Sequence, residues 1–395
     1  MNIPLIDLAR RYAVIKPLAN KAVLDVLESG HYIQGENVKA FEREFAAYLS
    51  VGNAVSVANG TDALIIALKA LGIGDGDEVL TSPFTFFATA EAISAVGAVP
   101  VFVDVRPDTC NIDESKLEAK ITPKTKAIMP VHIFGLPAEM DVIHRIAKRH
   151  RLYVIEDACQ AAGAVYMDKK AGALGDIACF SFFPTKNLSC AGDGGIIVTN
   201  SSRLACICRA LATHGSGENG HRAYNYIHHT DEPITSHTVG DTVYQPAKYH
   251  NYLIGGNSRL DELQAAILRI QLAYLDQNTV RRNIIAGFYD SALRGLPLTL
   301  PLSPGHIRHA YHMYVLQSER RNEIVKHLAE KGIATGIYYP VPLHLQRAYE
   351  KLDSGQGTLP VAEALAKRTF AIPMFPELTD EEVEYIAQTL RGACE

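Results

Sequence analysis

The sequence predicts an α/β protein built on a mostly parallel sheet, and three observations carry that expectation. Short apolar runs alternate with amphipathic ones through the first half of the chain. The apolar runs lack a strict period of two, as expected of strands buried on both faces. The 395 residues, 48% hydrophobic and 21% charged, suffice for a large core and a second, smaller unit.

Taken in order, residues 20–50 read as a helix, a glycine-containing turn at 30–35 and a second amphipathic helix ending near Tyr48. The alternation follows: strand 54–57, helix 62–71, strand 78–81, helix 86–96, strands 99–103 and 126–130, helix 137–150 and strand 152–155. Runs at 177–183 and 195–199 add two strand-like pieces separated by a polar, glycine-rich turn. Residues 213–254 hold many His, Tyr, Asn, Thr and Gly and no sustained helical stripe. They read as an irregular insertion at a surface, an active-site rim or a subunit contact. A long helix at 259–289 leads into a region with strand 313–317, helices 321–331 and 362–369, and strand 370–372. A final helix at 380–390 is opened by Thr379 as its N-cap. The expected division is a large domain at 1–255 and a smaller C-terminal one at 256–395.

Composition excludes several classes. The formal charge of -5 comes without a long basic run, so no nucleic-acid footprint is expected. The start MNIPLIDLARRY has no uninterrupted apolar core, and no run approaches the roughly eighteen apolar residues of a membrane span. Seven scattered cysteines are too few for a disulfide scaffold, and their odd number leaves one unpaired in a monomer. The expected compartment is the cytoplasm. Cys206 and Cys208 lack metal-site spacing, and His221, His228, His229, His237 and His250 are irregularly spaced, so no metal is expected. His-Glu-x-x-His, a P-loop and Gly-x-Gly-x-x-Gly after the first strand are all absent.

Three segments could carry chemistry. Asn59-Gly60-Thr61-Asp62 follows a strand and opens a helix, so its amides could hold a phosphate; a plain helix cap is the competing account. Glu156-Asp157-Ala158-Cys159-Gln160 lies at a strand's carboxyl end, where ligands gather in parallel sheets; capping the next helix would also explain its acids. Ser181-Phe182-Phe183-Pro184-Thr185-Lys186 places a lysine after an apolar strand, where burial would favour the neutral amine a nucleophile needs. Taken alone, it reads sooner as a surface lysine.

Together, IPLIDLARRY, GHYIQGENVKAFEREFAAYL, VANGTDALIIAL, SPFTFFATAEAI, MPVHIFGLPAEM, VIEDACQAAGA, SFFPTKNLSCAGDGGIIVTN, GGNSRLDELQAAIL and YPVPLHLQRAY resemble the DegT/DnrJ/EryC1/StrS family of sugar aminotransferases over nearly the whole chain. The resemblance implies a fold-type I, aspartate aminotransferase-like enzyme using pyridoxal 5'-phosphate, with pyridoxamine 5'-phosphate as its intermediate form. It implies that Lys186 holds the cofactor covalently and then moves protons, and that Asp157 pairs with the pyridine nitrogen. Gln160 would lie near the ring's phenolic oxygen and Phe86 on one ring face. Gly60, Thr61 and Ser181 would contact the phosphate. Asn257 would reach that phosphate from the neighbouring subunit, making a homodimer with shared sites the catalytic unit.

The implied reaction moves an amino group from L-glutamate to a nucleotide-linked keto sugar. NSRLDELQAA and YPVPLH resemble 3-keto-sugar enzymes, so C3 of a dTDP-3-keto-6-deoxyhexose is the expected substrate. A 4-keto sugar, a UDP- or GDP-linked sugar and a keto-inositol stand as alternatives, beside a sugar dehydratase and a non-catalytic regulatory homologue. Cys159 stands where the family often has a small residue. Tyr338 stands where some relatives carry histidine. Residues 212–247 run longer than the common pattern.

Overall fold

The computed structural model describes residues 1–232, 249–352 and 354–394. Its strands are β1 (Asn53–Val57), β2 (Glu78–Thr81), β3 (Val99–Phe102), β4 (Thr125–Met129), β5 (Tyr153–Asp157), β6 (Val165–Tyr166), β7 (Lys169–Lys170), β8 (Ile177–Ser181), β9 (Gly195–Thr199), β10 (Ile307–Arg308), β11 (Tyr314–Gln317) and β12 (Thr369–Ile372). Its helices are α1 (Leu8–Ser29), α2 (Glu36–Leu49), α3 (Gly60–Ala70), α4 (Ala88–Ala95), α5 (Met140–His150), α6 (Ser202–Leu211), α7 (Gly217–His228), α8 (Glu262–Ala292), α9 (Arg321–Glu330), α10 (Pro360–Arg368) and α11 (Asp380–Cys394).

A seven-stranded sheet runs in the order β1-β9-β8-β5-β4-β2-β3. Its pairs from β8 to β3 are parallel, while β9 is antiparallel to both β1 and β8. The mostly parallel sheet expected from the apolar runs is therefore present. Alternate residues explain the missing period of two. Ile177, Cys179 and Ile197 face a layer containing α3 and α6, while Ala178, Phe180, Ile196 and Val198 face α2 and α8. Both sets are apolar because both faces are covered. On the second face Phe45 meets Phe180 and Phe182 edge to face, with ring centres 5.2 and 5.7 Å away.

The smaller unit is built on the β11–β12 ribbon, α9, α11 and the second half of α8. It draws on both chain ends: Ile3 is fully buried in its core, and the Ile3 amide donates to the Gly332 carbonyl at 2.8 Å. Thr379 opens α11 as expected, in a reciprocal pair in which the Glu382 amide donates to Thr379 and the Thr379 amide to Glu382.

Two elements differ from the expectation. The first helix starts at Leu8 rather than near residue 20, capped by Asp7 and continuing through Pro17. Proline removes one helical donor, but Arg11, Ile15, Ala19 and Val26 form a buried face that offsets it. The expected irregular insertion contains helix α7, whose glycines and aromatics blur any stripe; His221 and Ala223 face inward, and the His221 ring meets Tyr252 edge to face. Of that segment, 233–248 lie outside the described residues, His237 among them. Among the described residues, no helix is long and apolar enough to cross a membrane.

Candidate active site

Strands β5 and β8 lie side by side, with Asp157 opposite Cys179 near their carboxyl ends. Successive side chains on a strand point to opposite faces, and this separates the two acids that end β5. Glu156 is fully buried and accepts from the amides of Gly172, Leu174 and Gly175 at 2.6–2.7 Å, with His132 Nε2 at 2.9 Å. It is the anchor of the 172–175 turn. Asp157 faces the other way. Its Oδ2 accepts from the Thr89 hydroxyl at 2.7 Å, and its Oδ1 accepts from the Cys159 amide at 3.2 Å.

Lys186 belongs to the connection between β8 and β9. That connection is pinned at its base, where the Phe182 amide donates to the Gly194 carbonyl and the Cys190 amide to the Phe182 carbonyl, both at 2.7 Å. Arg11, nearly buried on α1, donates to the carbonyls of Lys186 (2.8 Å) and Pro184 (3.2 Å) and to Ser189 Oγ (2.9 Å). Asn187 donates to the Ala310 carbonyl at 2.9 Å, fastening the loop on its other side. Burial lowers the Lys186 pKa from its ordinary value, with Cys159 and Asp157 opposing the shift. Among the described residues Lys186 Nζ makes no ion pair within 4.0 Å. The result is an anchored backbone carrying an amine that burial makes less basic than an ordinary lysine. His312 lies close enough for Lys186 to lower its pKa further, after burial, and among the described residues its buried Nδ1 has no partner.

The third part sits at the start of α3. Asn59 caps the helix by accepting from the Asp62 amide at 2.8 Å, leaving the Gly60 and Thr61 amides as first-turn donors without intrahelical acceptors. A Cβ on Gly60 would come within 2.7 Å of Ser181 Cβ and 3.1 Å of Cys159 Sγ. Only glycine lets the α3 start approach the β8 end this closely. Gly60, Ser181 and Cys159 thus meet at one place, and Cys159 feels the charges of both Asp157 and Lys186.

The remaining expected residues are Gln160, Phe86 and Asn257. Gln160 is buried, accepts from the Phe134 amide at 2.8 Å and donates to the Tyr339 hydroxyl at 2.9 Å. Phe86 precedes α4 and is 61% exposed, so its ring is free to cover a ligand. Asn257 is exposed and pairs in a bridge with Thr213; it shares a hollow with Asp62, Ile66 and Lys69 on the outer side of α3. The structure therefore brings Lys186, Asp157, Gly60 and Ser181 together and leaves Asn257 outward-facing. Arg11, Thr89, His312 and Tyr339 were missed in the sequence reading. Each lies far along the chain from the residue it serves, and although Arg11, Thr89 and Tyr339 fall within motifs quoted above, no local pattern ties any of the four to its partner.

A phosphate suits the free amides at Gly60 and Thr61, and a protonated ring nitrogen suits the Asp157 carboxylate. Lys186 suits a carbonyl carbon. Architecture and donor set together define a fold-type I pyridoxal-phosphate aminotransferase. The chain belongs to the DegT/DnrJ/EryC1/StrS aminotransferase family, which it matches over residues 14–391.

The chain is 43% identical over 99% of its length, and 98% of the relative's, to a "pleiotropic regulatory protein" of Geobacillus stearothermophilus. It is 41% identical, covering 98% and 97%, to a UDP-N-acetyl-3-dehydro-alpha-D-glucosamine 3-aminotransferase of Acidithiobacillus ferrooxidans. It is 40% identical, covering 99% and 96%, to a dTDP-3-amino-3,4,6-trideoxy-alpha-D-glucose transaminase of Streptomyces venezuelae. Among solved structures, that of S. venezuelae DesV in complex with a ketimine intermediate superposes with a TM-score of 0.91, at 39% identity, covering 100% and 99% of the two chains.

Proposed function

We propose that this enzyme transfers an amino group from L-glutamate to C3 of a nucleotide-linked 3-keto hexose, with a dTDP-linked 3-keto-6-deoxyhexose as the first candidate. The observation that carries the reading is the juxtaposition of Lys186, a desolvated amine, with Asp157 and the Gly60–Ser181 cradle. Pyridoxal phosphate, when bound, supplies the electron sink that stabilises charge on the carbon losing its proton.

The protein's own groups do the rest. Gly60 and Thr61 amides, with the Ser181 hydroxyl, hold the phosphate. The Asp157 carboxylate, steadied by Thr89, keeps the ring nitrogen protonated. Phe86 covers one ring face. Lys186 Nζ would hold the cofactor at its carbonyl carbon and, as a general base and acid, would take and return the substrate proton. Its lowered pKa gives the neutral amine a larger share near neutral pH than an ordinary lysine has. In the net reaction glutamate would become 2-oxoglutarate, and its nitrogen would replace the oxygen of the sugar ketone.

C3 is supported by the NSRLDELQAA and YPVPLH segments and by relatives of similar identity whose names place the nitrogen at C3. Those names carry both UDP and dTDP. The outward position of Asn257 agrees with a homodimer in which it completes the partner's phosphate site. The test is an amination panel of 3-keto and 4-keto dTDP-, UDP- and GDP-hexoses, with product analysis locating the new amine. Turnover restricted to 4-keto sugars would overturn the C3 assignment. Failure of glutamate to convert the bound cofactor to its amine form would favour a regulatory role.

A further inference from the structure

Two polar atoms beneath the Lys186 loop are buried without a partner among the described residues, Asn187 Oδ1 and His312 Nδ1. Their residues are only 8% and 7% exposed. Such orphans are uncommon in a packed interior, and each calls for a use. The loop and the His312 segment are fastened to each other, because Asn187 Nδ2 donates to the Ala310 carbonyl at 2.9 Å. Buried arginines fix both backbones. Arg11 donates to the Lys186 carbonyl at 2.8 Å, and Arg282 to the Tyr311 carbonyl at 2.9 Å.

The groups whose charges act on His312 are Lys186, Arg282 of α8, Arg11 of α1 and the neighbouring His309. Burial and these cations keep its imidazole neutral, so one ring nitrogen is bare. Lys186 feels Asp157 and Cys159 from the end of β5. Among the described residues its Nζ makes no hydrogen bond and no ion pair within 4.0 Å. A lysine ammonium carries three donors, and the bare His312 nitrogen is an acceptor without a donor.

We propose that His312 is a positioning residue for Lys186, its Nδ1 accepting from the Lys186 ammonium whenever that side chain is free of the cofactor. This rests on the pyridoxal-phosphate reading above. The ring proton then sits on Nε2. Lys186 takes the proton from the substrate carbon as an amine, holds it as an ammonium against His312, and returns it. His312 itself neither gains nor loses a proton. A neutral acceptor steadies the ammonium less than a carboxylate would, so the proton is readily given back.

The experiment compares wild type with His312→Phe, which lacks the acceptor, and His312→Asn, whose side-chain oxygen replaces Nδ1. Two quantities are read. One is the pH of half-maximal pyridoxal-phosphate capture by the cofactor-free full chain, followed by the visible absorption band. The other is the rate at which glutamate converts the bound cofactor to its amine form. Losing the acceptor destabilises the ammonium, so His312→Phe should lower the capture midpoint by about one pH unit, the size of one hydrogen bond to a charged group. The rate at saturating glutamate should fall about tenfold with the half-saturating concentration unchanged, and His312→Asn should recover most of both effects. His312→Leu takes the place of the phenylalanine variant if that one does not fold. An unmoved midpoint overturns the proposal. So does a His312→Asn variant as impaired as His312→Phe, which would make His312 a packing group alone. A wild type that captures no pyridoxal phosphate would instead sink the cofactor reading, and is thereby distinguished.

Discussion

Adjacent carboxylates Glu156 and Asp157 should respond to substitution in opposite ways. Glu156 accepts from three backbone amides and contacts His132, all inside the fold. Removing it in Glu156→Ala leaves several buried donors unpaired, at about 1–3 kcal/mol each before relaxation. A net loss of about 4–6 kcal/mol follows, a large share of the 5–15 kcal/mol typical of a folded domain. Asp157→Asn keeps an acceptor for the Cys159 amide, and the Thr89 hydroxyl can turn to accept from the new amide. Its stability cost should stay within about 1 kcal/mol, while the missing charge lowers kcat roughly 100-fold or more. Urea titrations of the cofactor-free protein measure the first effect, and steady-state rates with glutamate the second. If Asp157→Asn unfolds at the denaturant concentration of Glu156→Ala, or Glu156→Ala keeps wild-type stability, the division of labour is wrong.

Three further outcomes are expected. Gly60→Ala should weaken pyridoxal-phosphate binding about tenfold or more at a stability cost of about 1–3 kcal/mol, because its Cβ would drive Ser181 away; cofactor titration by fluorescence checks this. Burial pushes the His309 pKa down to about 3, so the unfolded chain binds a proton between about 6.5 and 3 that the folded chain refuses. Stability is therefore full above pH 6.5 and falls below it, by about 1.4 kcal/mol at pH 5.5. His309→Asn, whose side-chain oxygen can still accept from the Tyr311 amide, should flatten that slope in urea midpoints measured at both pH values. Finally, mixing Lys186→Ala with Asn257→Ala subunits should restore activity above either variant alone, as a site completed across the dimer requires; no gain after proven subunit exchange would place Asn257 outside the partner's site.

The sequence by itself determined the layered α/β fold, because strands covered on both faces must be apolar throughout and the helices between them must carry a stripe. It also singled out Lys186, Asp157 and Gly60, since each follows a strand end where ligands gather and each belongs to a local motif. Residue type alone does not separate Glu156 from Asp157; the family motif points to Asp157, and the pleat, which turns one toward the 172–175 amides and the other toward Thr89, supplies the physical reason. Nor could the sequence show that α1 persists through Pro17, because the packing that sustains it comes from elsewhere in the chain. Arg11 on the Lys186 loop and Tyr339 on Gln160 are separated from their partners by 175 and 179 positions. Contacts of that span exist only once the chain has closed on itself, and tertiary structure alone could reveal them.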